Sequence, residues 1–263
     1  MSAGWTAALV ALFVWWFSTG VILLAVRMAD RRGPRTHRTL ALATLPLFGL
    51  GLWGYAATLT MEGVLGVHLA FVSVILIWGW VELAFLTGTI TGPMRQPCPR
   101  GVPEWERFIR AWGTIAYHEM LLASLLVAML IIGWGAINPF GMYVFAVLFV
   151  ARVSAKLNLF FGVPKINVEF LPAPLLHLPS HFRIARCNWL YPISVSALAF
   201  ATACWAERLI AADTTAAAAG FALLTALTAL ALLEHWFMVL PLPDEKLWRW
   251  MLPAPGGEQD RGR

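Results

Sequence analysis

Four long apolar stretches of the chain carry ionisable side chains: Glu82 in one, the adjacent pair His118 and Glu119 in a second, Arg152 and Lys156 in a third, and the adjacent pair Glu234 and His235 in a fourth. These groups are capable of three kinds of chemistry. They can neutralise one another as a buried network, with Asn158 extending it and the histidines acting as hydrogen-bonding links. They can hold a transition metal, as in carboxylate-bridged di-iron bundles, which makes Glu82, His118, Glu119, Glu234 and His235 the candidate ligands. Finally, one imidazole from His118, His235, His177 or His181 can ligate the magnesium or iron of a tetrapyrrole axially.

Spacing discriminates among these. Arg152 and Lys156 stand four residues apart, so on a helix they share a face and can meet carboxylates across a bundle. Di-iron bundles use Glu-x-x-His, whereas both His-Glu pairs here are adjacent and diverge by about 100° on a helix. One member of each pair can ligate while the other supports a neighbour. The cations nearby would repel a metal ion. His177 and His181 have the interval of a helical ligand pair, but Pro179 lies between them and predicts a helix opening there, with His177 in the preceding turn. They serve either as ligands or as interfacial histidines. His68 lies apart from the cluster, as a helix-packing residue. The chain has no phosphate-binding Gly-x-x-x-x-Gly-Lys, no Gly-x-Gly-x-x-Gly, no His-Glu-x-x-His and no Gly-x-Ser-x-Gly, so neither nucleotide-driven nor hydrolytic chemistry has support.

The elements that must position these groups are membrane spans. Of the 263 residues, 60% are hydrophobic and 13% charged, and the mean hydropathy is +0.72, far from a soluble domain. A transmembrane helix needs roughly 20 apolar residues, and seven stretches qualify, near 5–27, 39–60, 64–91, 110–135, 138–161, 188–210 and 212–240. The expected fold is all-α, one seven-helix transmembrane domain over 1–252, followed by a flexible cytoplasmic tail at 253–263. The first stretch is expected to persist as an anchor, since no basic residue precedes it. Sixteen of the 19 Lys and Arg fall in loops on one side, which places the amino terminus outside and the carboxyl terminus in the cytoplasm. That distribution explains the net charge of +5 without nucleic acid. With this topology the whole polar cluster falls in the cytoplasmic leaflet.

Most of the 14 tryptophans mark the two interfaces; Trp15, Trp16, Trp78 and Trp80 sit deeper and could stack on a pigment. Cys98, Cys187 and Cys204 form neither a Cys-x-x-Cys nor a disulfide pattern. Gly49, Gly51 and Gly54 would allow a neighbouring helix to approach closely. The connection from Val163 to Phe182 contains Pro164, Pro172, Pro174 and Pro179 yet is largely apolar, so it is expected to fold back over the cytoplasmic mouth of the bundle. No inverted repeat is evident, which disfavours a secondary transporter.

The stretches Tyr117-His-Glu-Met-Leu-Leu-Ala-Ser124, Ala151-Arg-Val-Ser-Ala-Lys-Leu-Asn158, Pro164-Lys-Ile-Asn-Val-Glu-Phe-Leu-Pro172, His177-Leu-Pro-Ser-His-Phe182 and Leu233-Glu-His-Trp-Phe-Met-Val-Leu-Pro-Leu-Pro-Asp244 resemble the PuhE family, encoded in the photosynthesis gene clusters of purple and related bacteria. The likeness runs from the first span to Trp250. It implies a multi-pass protein of the bacterial inner membrane, cytoplasmic or intracytoplasmic, that supports accumulation of the reaction centre and its core antenna or modulates bacteriochlorophyll supply. Its partners would then be the lipid bilayer, reaction-centre or antenna subunits or pigment-synthesis proteins, and its ligand bacteriochlorophyll or a precursor. The resemblance brings no catalytic residues with it. The leading reading is an assembly factor with no enzymatic activity assigned. The competing one is an integral-membrane, metal-dependent oxidoreductase acting on a tetrapyrrole or isoprenoid-type lipid.

Overall fold

The computed structural model of the protein describes residues 3–166, 168 and 171–241; the tail expected at 253–263 lies outside them. Among the described residues there are eight α-helices, and strand geometry is limited to an isolated bridge between Val163 and Ile184. They are α1 (Ala3–Arg32), α2 (Pro34–Ala43), α3 (Leu45–Thr58), α4 (Gly63–Leu86), α5 (Glu104–Gly133), α6 (Phe140–Phe161), α7 (Leu190–Ile210) and α8 (Thr215–Phe237). Since α2 and α3 run on as one apolar rod, seven helices are long and apolar enough to cross a membrane. This is a seven-helix membrane bundle.

Local chemistry sets the boundaries. Gly33 takes a positive φ of 99° and Pro34 follows it at the first position of α2, where a missing N–H costs nothing. Pro46 then interrupts the ladder between α2 and α3, and the Thr44 hydroxyl donates to the Leu40 carbonyl at 2.8 Å across the break. Helix α4 stops at Leu86, short of the residue 91 expected from hydropathy, because the chain turns at Gly88 with φ 69°. The turned segment docks on α5 by backbone hydrogen bonds: Met94 N–H donates to the Gly113 carbonyl at 2.9 Å, and His118 N–H to the Thr91 carbonyl at 3.0 Å. Thr214 caps α8, its hydroxyl accepting from Ala217 N–H at 3.1 Å.

Helices α4 and α8 form the centre, each with half of its apolar window buried, while α1 and α7 lie at the rim. The buried core includes Phe71, Val74, Ile77, Leu122, Phe145, Leu223 and Leu224. Side chains such as Trp5, Phe13, Leu65, Ile131 and Phe200 point outward and are exposed, as lipid-facing residues of a bundle are. Gly4 approaches Ala222 while Trp15 meets Glu234, so α1 and α8 run parallel, as a first and a seventh span must. Gly51 and Gly54 both back onto Ser73 of α4, and a Cβ on Gly51 would stand 2.8 Å from the Ser73 carbonyl oxygen. Gly49 has nothing within 4 Å and takes no part in that approach.

The connection between α6 and α7 folds back over one end of the bundle in two 3-10 turns, Ala173–Leu175 and Leu178–His181. Leu175 and Leu178 pack on Phe85, with Leu86, Ile115, Leu171 and Phe182 around them. Pro179 therefore opens a single 3-10 turn rather than the next long helix, which begins eleven residues later at Leu190; His177 is the residue preceding that turn.

Candidate functional site

Helix α6 supplies the cations and its neighbours the carboxylates. Arg152 Nη2 donates to Glu82 Oε2 of α4 at 2.8 Å, and Lys156 Nζ pairs with Glu119 Oε1 of α5. Three helices are thereby tied at one level by two ion pairs, the arrangement expected for a four-residue offset on one helix face. His118 is fully buried between them, its Nε2 4.0 Å from Glu82 Oε1 and 3.8 Å from Glu119 Oε1, and its ring tilted against Phe85 with centroids 4.6 Å apart. Neither ring nitrogen has a hydrogen-bond partner, nor does Glu82 Oε1.

The remaining members are spread out. Glu234 Oε1 accepts from Trp15 Nε1–H at 3.0 Å. His235 is buried with both nitrogens engaged: Nδ1 lies 2.8 Å from the Ala231 carbonyl and must carry the proton, so Nε2 accepts from the Ser154 hydroxyl at 2.9 Å. Tyr191 OH donates to the His235 carbonyl at 3.1 Å. Asn158 donates to the Ser154 carbonyl at 3.0 Å and to Ser194 Oγ at 2.9 Å, and accepts from Asn188 Nδ2 at 3.1 Å. Asn158 and His235 thus fasten α6, α7 and α8 together, while Glu82, His118, Glu119, Arg152 and Lys156 form the charged cluster.

His177 and His181 sit in the connection with ring centroids 6.5 Å apart and planes nearly perpendicular. Burial holds both imidazoles below the usual histidine range, with the Arg95 charge adding to the effect at His177. The ring of His181 leans on Ser180 Oγ at 3.2 Å and the His177 carbonyl at 3.3 Å. Among the described residues no three His, Cys, Asp or Glu side chains are placed to hold a metal ion.

Beneath the connection lies a cavity of about 410 Å³. Its walls come from α5 (Phe108, Trp112, Ile115), from α6 (Val153, Leu157, Phe160) and from Leu171, Leu178 and Phe182 of the cover, with Glu119, Arg152, Lys156 and Glu234 at the polar part. The volume is near the lower end of the roughly 300–1,000 Å³ typical of small-molecule sites. An apolar chamber with a few convergent polar groups can bind an amphiphile.

Residues 1–259 match the family described as "Protein of unknown function (DUF3623)". The chain belongs to that family. A Rhodobacter capsulatus relative, named "Uncharacterized 30.4 kDa protein in puhA 5'region", is 53% identical over 254 residues, covering 97% of this chain and 93% of the relative. No solved structure matches the chain.

Several residues that shape the site of this DUF3623 member were not singled out from the sequence for that role. Arg107, in the sequence one of the loop cations and part of the Glu104–Arg107 helix start, donates to the Phe160 carbonyl at 3.0 Å and the His181 carbonyl at 3.0 Å, and its guanidinium lies 3.8 Å above the Phe160 ring. It pins the cover to α5 and α6. Asp30 Oδ1 accepts from Ala173 N–H and from His37 Nε2, each at 3.1 Å, fastening the other side of the cover to α1. Ser154 carried a signal, since it lies between Arg152 and Lys156 and four residues before Asn158. Trp15 reads from the sequence as a deep tryptophan suited to pigment stacking; its long-range partner Glu234 leaves no local trace.

Proposed function

We propose that this protein is a PuhE-type assembly factor that supports accumulation of the photosynthetic reaction centre and its core antenna, or the bacteriochlorophyll supply they draw on. The observation that carries the reading is the near-full-length relative whose name places it in the puhA 5′ region, in accord with the PuhE resemblance. The cavity gives the role a physical means: the helical bundle offers a chamber for a pigment, a precursor or a partner helix beneath the covering connection. The charged end of that chamber is the proposed site, with Glu82, His118, Glu119, Arg152 and Lys156 as its frame and Glu234 at its edge. Residues 1–252 act as one domain, set in the bacterial inner membrane with the amino terminus outside, as the loop charges favour.

The oxidoreductase alternative needs a ligand set, and among the described residues His118, Glu119, Glu82, Glu234 and His235 do not make one. His235 spends both nitrogens on protein partners. Deletion of the gene in a photosynthetic host tests the assembly role. Near-infrared absorption of reaction centre and core antenna per unit membrane protein is expected to fall; levels equal to the parent strain would overturn it.

A further inference from the structure

The two ion pairs leave the cavity with a particular polar end. Glu119 and Lys156 are largely buried and engaged with each other. Arg152 is different: its Nη2 serves Glu82, yet its side chain is still 39% exposed. Glu234, in the last turn of α8, is exposed and lines the cavity, with Oε1 accepting from Trp15. An accessible carboxylate in a spanning helix is unfavourable unless further polar partners meet it. So the chamber presents the Arg152 guanidinium as a donor and the Glu234 carboxylate as an acceptor, with Lys165, His181 and Thr114 as further polar lining and apolar side chains over the rest of its walls.

Charge then selects the head of the ligand. An anionic head would face Glu234 and Glu119; a cationic head would face Arg152, Lys156 and Lys165. A hydroxyl has neither conflict, because it donates to the carboxylate and accepts from the guanidinium at once. The body of the ligand is set by Val153, Leu157, Phe160 and Ile115, and the rim by Trp112 and Phe108, which are 47% and 45% exposed. Exposed aromatic side chains on a spanning helix face lipid, so the mouth is suited to entry from the bilayer. A chamber of about 410 Å³ suits one chain better than two.

We propose that the cavity binds a membrane-dissolved, uncharged, single-chain amphiphile with a hydroxyl head, held between Glu234 and Arg152. The proposal rests on this cavity being the functional site of the assembly factor. The test uses three radiolabelled probes of equal chain length, 1-dodecanol, dodecanoate and dodecylamine, bound to the full-length protein in phosphatidylcholine nanodiscs. Dodecanol is expected to bind saturably and about tenfold more tightly than either charged probe. Glu234→Leu is expected to weaken dodecanol binding by about tenfold, and Ala111→Trp, which fills the chamber, to abolish saturable binding. Should one of these variants fail to insert, the other and the three-probe ranking still decide. Equal or tighter binding of a charged probe, no saturable binding at all, or dodecanol binding indifferent to both substitutions would each overturn the proposal. None of these outcomes touches the deletion phenotype, so this inference and the assembly role fail separately.

Discussion

Lys156 and Glu119 are the side chains whose loss is most informative. Removing one member of a buried pair strands the other and costs about 3–5 kcal/mol, whereas removing both leaves no stranded charge. Lys156→Met alone is therefore expected to lower the thermal midpoint of the purified protein more than Lys156→Met combined with Glu119→Gln. Equal losses from single and double variants would show that the two are not coupled. A pH dependence belongs at the same scale. His177 and His181 have folded pKa values held down by burial, so the unfolded chain takes up protons first as pH falls. Their favourable contribution is fully present above about 6.5, the unfolded value, and is lost as pH falls through the lower folded values. The thermal midpoint should drop as pH falls below about 6.5, and His181→Phe should shrink that drop. The pairing of α6 cations with carboxylates on other helices was legible from a four-residue spacing. Glu234 taking Trp15 as its partner was not, because the contact joins residues 219 positions apart and a deep tryptophan has several possible uses.

At the scale of elements, seven helices could be counted from hydropathy because a bilayer demands a minimum length. The details depend on bonds between distant segments. The break at Thr44 follows from Pro46 and was available in principle. By contrast, the early end of α4 depends on residues 91 and 94 finding carbonyl and amide partners on α5, which no local pattern records. That docking needs Gly92, where any Cβ would strike the Gly113 carbonyl oxygen. Gly92→Ala is expected to cost about 1–3 kcal/mol of stability. The helix pair α3–α4 gives a sharper comparison. Gly51→Ala should destabilise by a similar amount through its contact with Ser73, while Gly49→Ala, with open space around it, should stay within about 0.5 kcal/mol. Matching effects at the two positions would mean that the close approach of α3 and α4 contributes little.

At the scale of the whole molecule, the bundle has a tightly packed middle and, beneath the connection, a chamber framed by charges. The folding back of that connection was legible from its combination of prolines and apolar residues, which suits neither a helix nor a solvated loop. The size of the chamber was not, since it depends on how far α5 and α6 stand apart beneath the cover. The proposed orientation is checked by its cysteines: Cys204, exposed near the end of α7, should react with a membrane-impermeant maleimide added outside intact cells, while Cys187 should react only after lysis. The central claim is that the chamber is where this protein acts. Its most direct test is to complement a deletion strain with Ala111→Trp, which fills the chamber from α5, and to measure reaction-centre and core-antenna absorption at matched levels of the variant and the parent protein. The account predicts that the filled chamber fails to restore the complexes; full restoration by a variant that accumulates normally would contradict it.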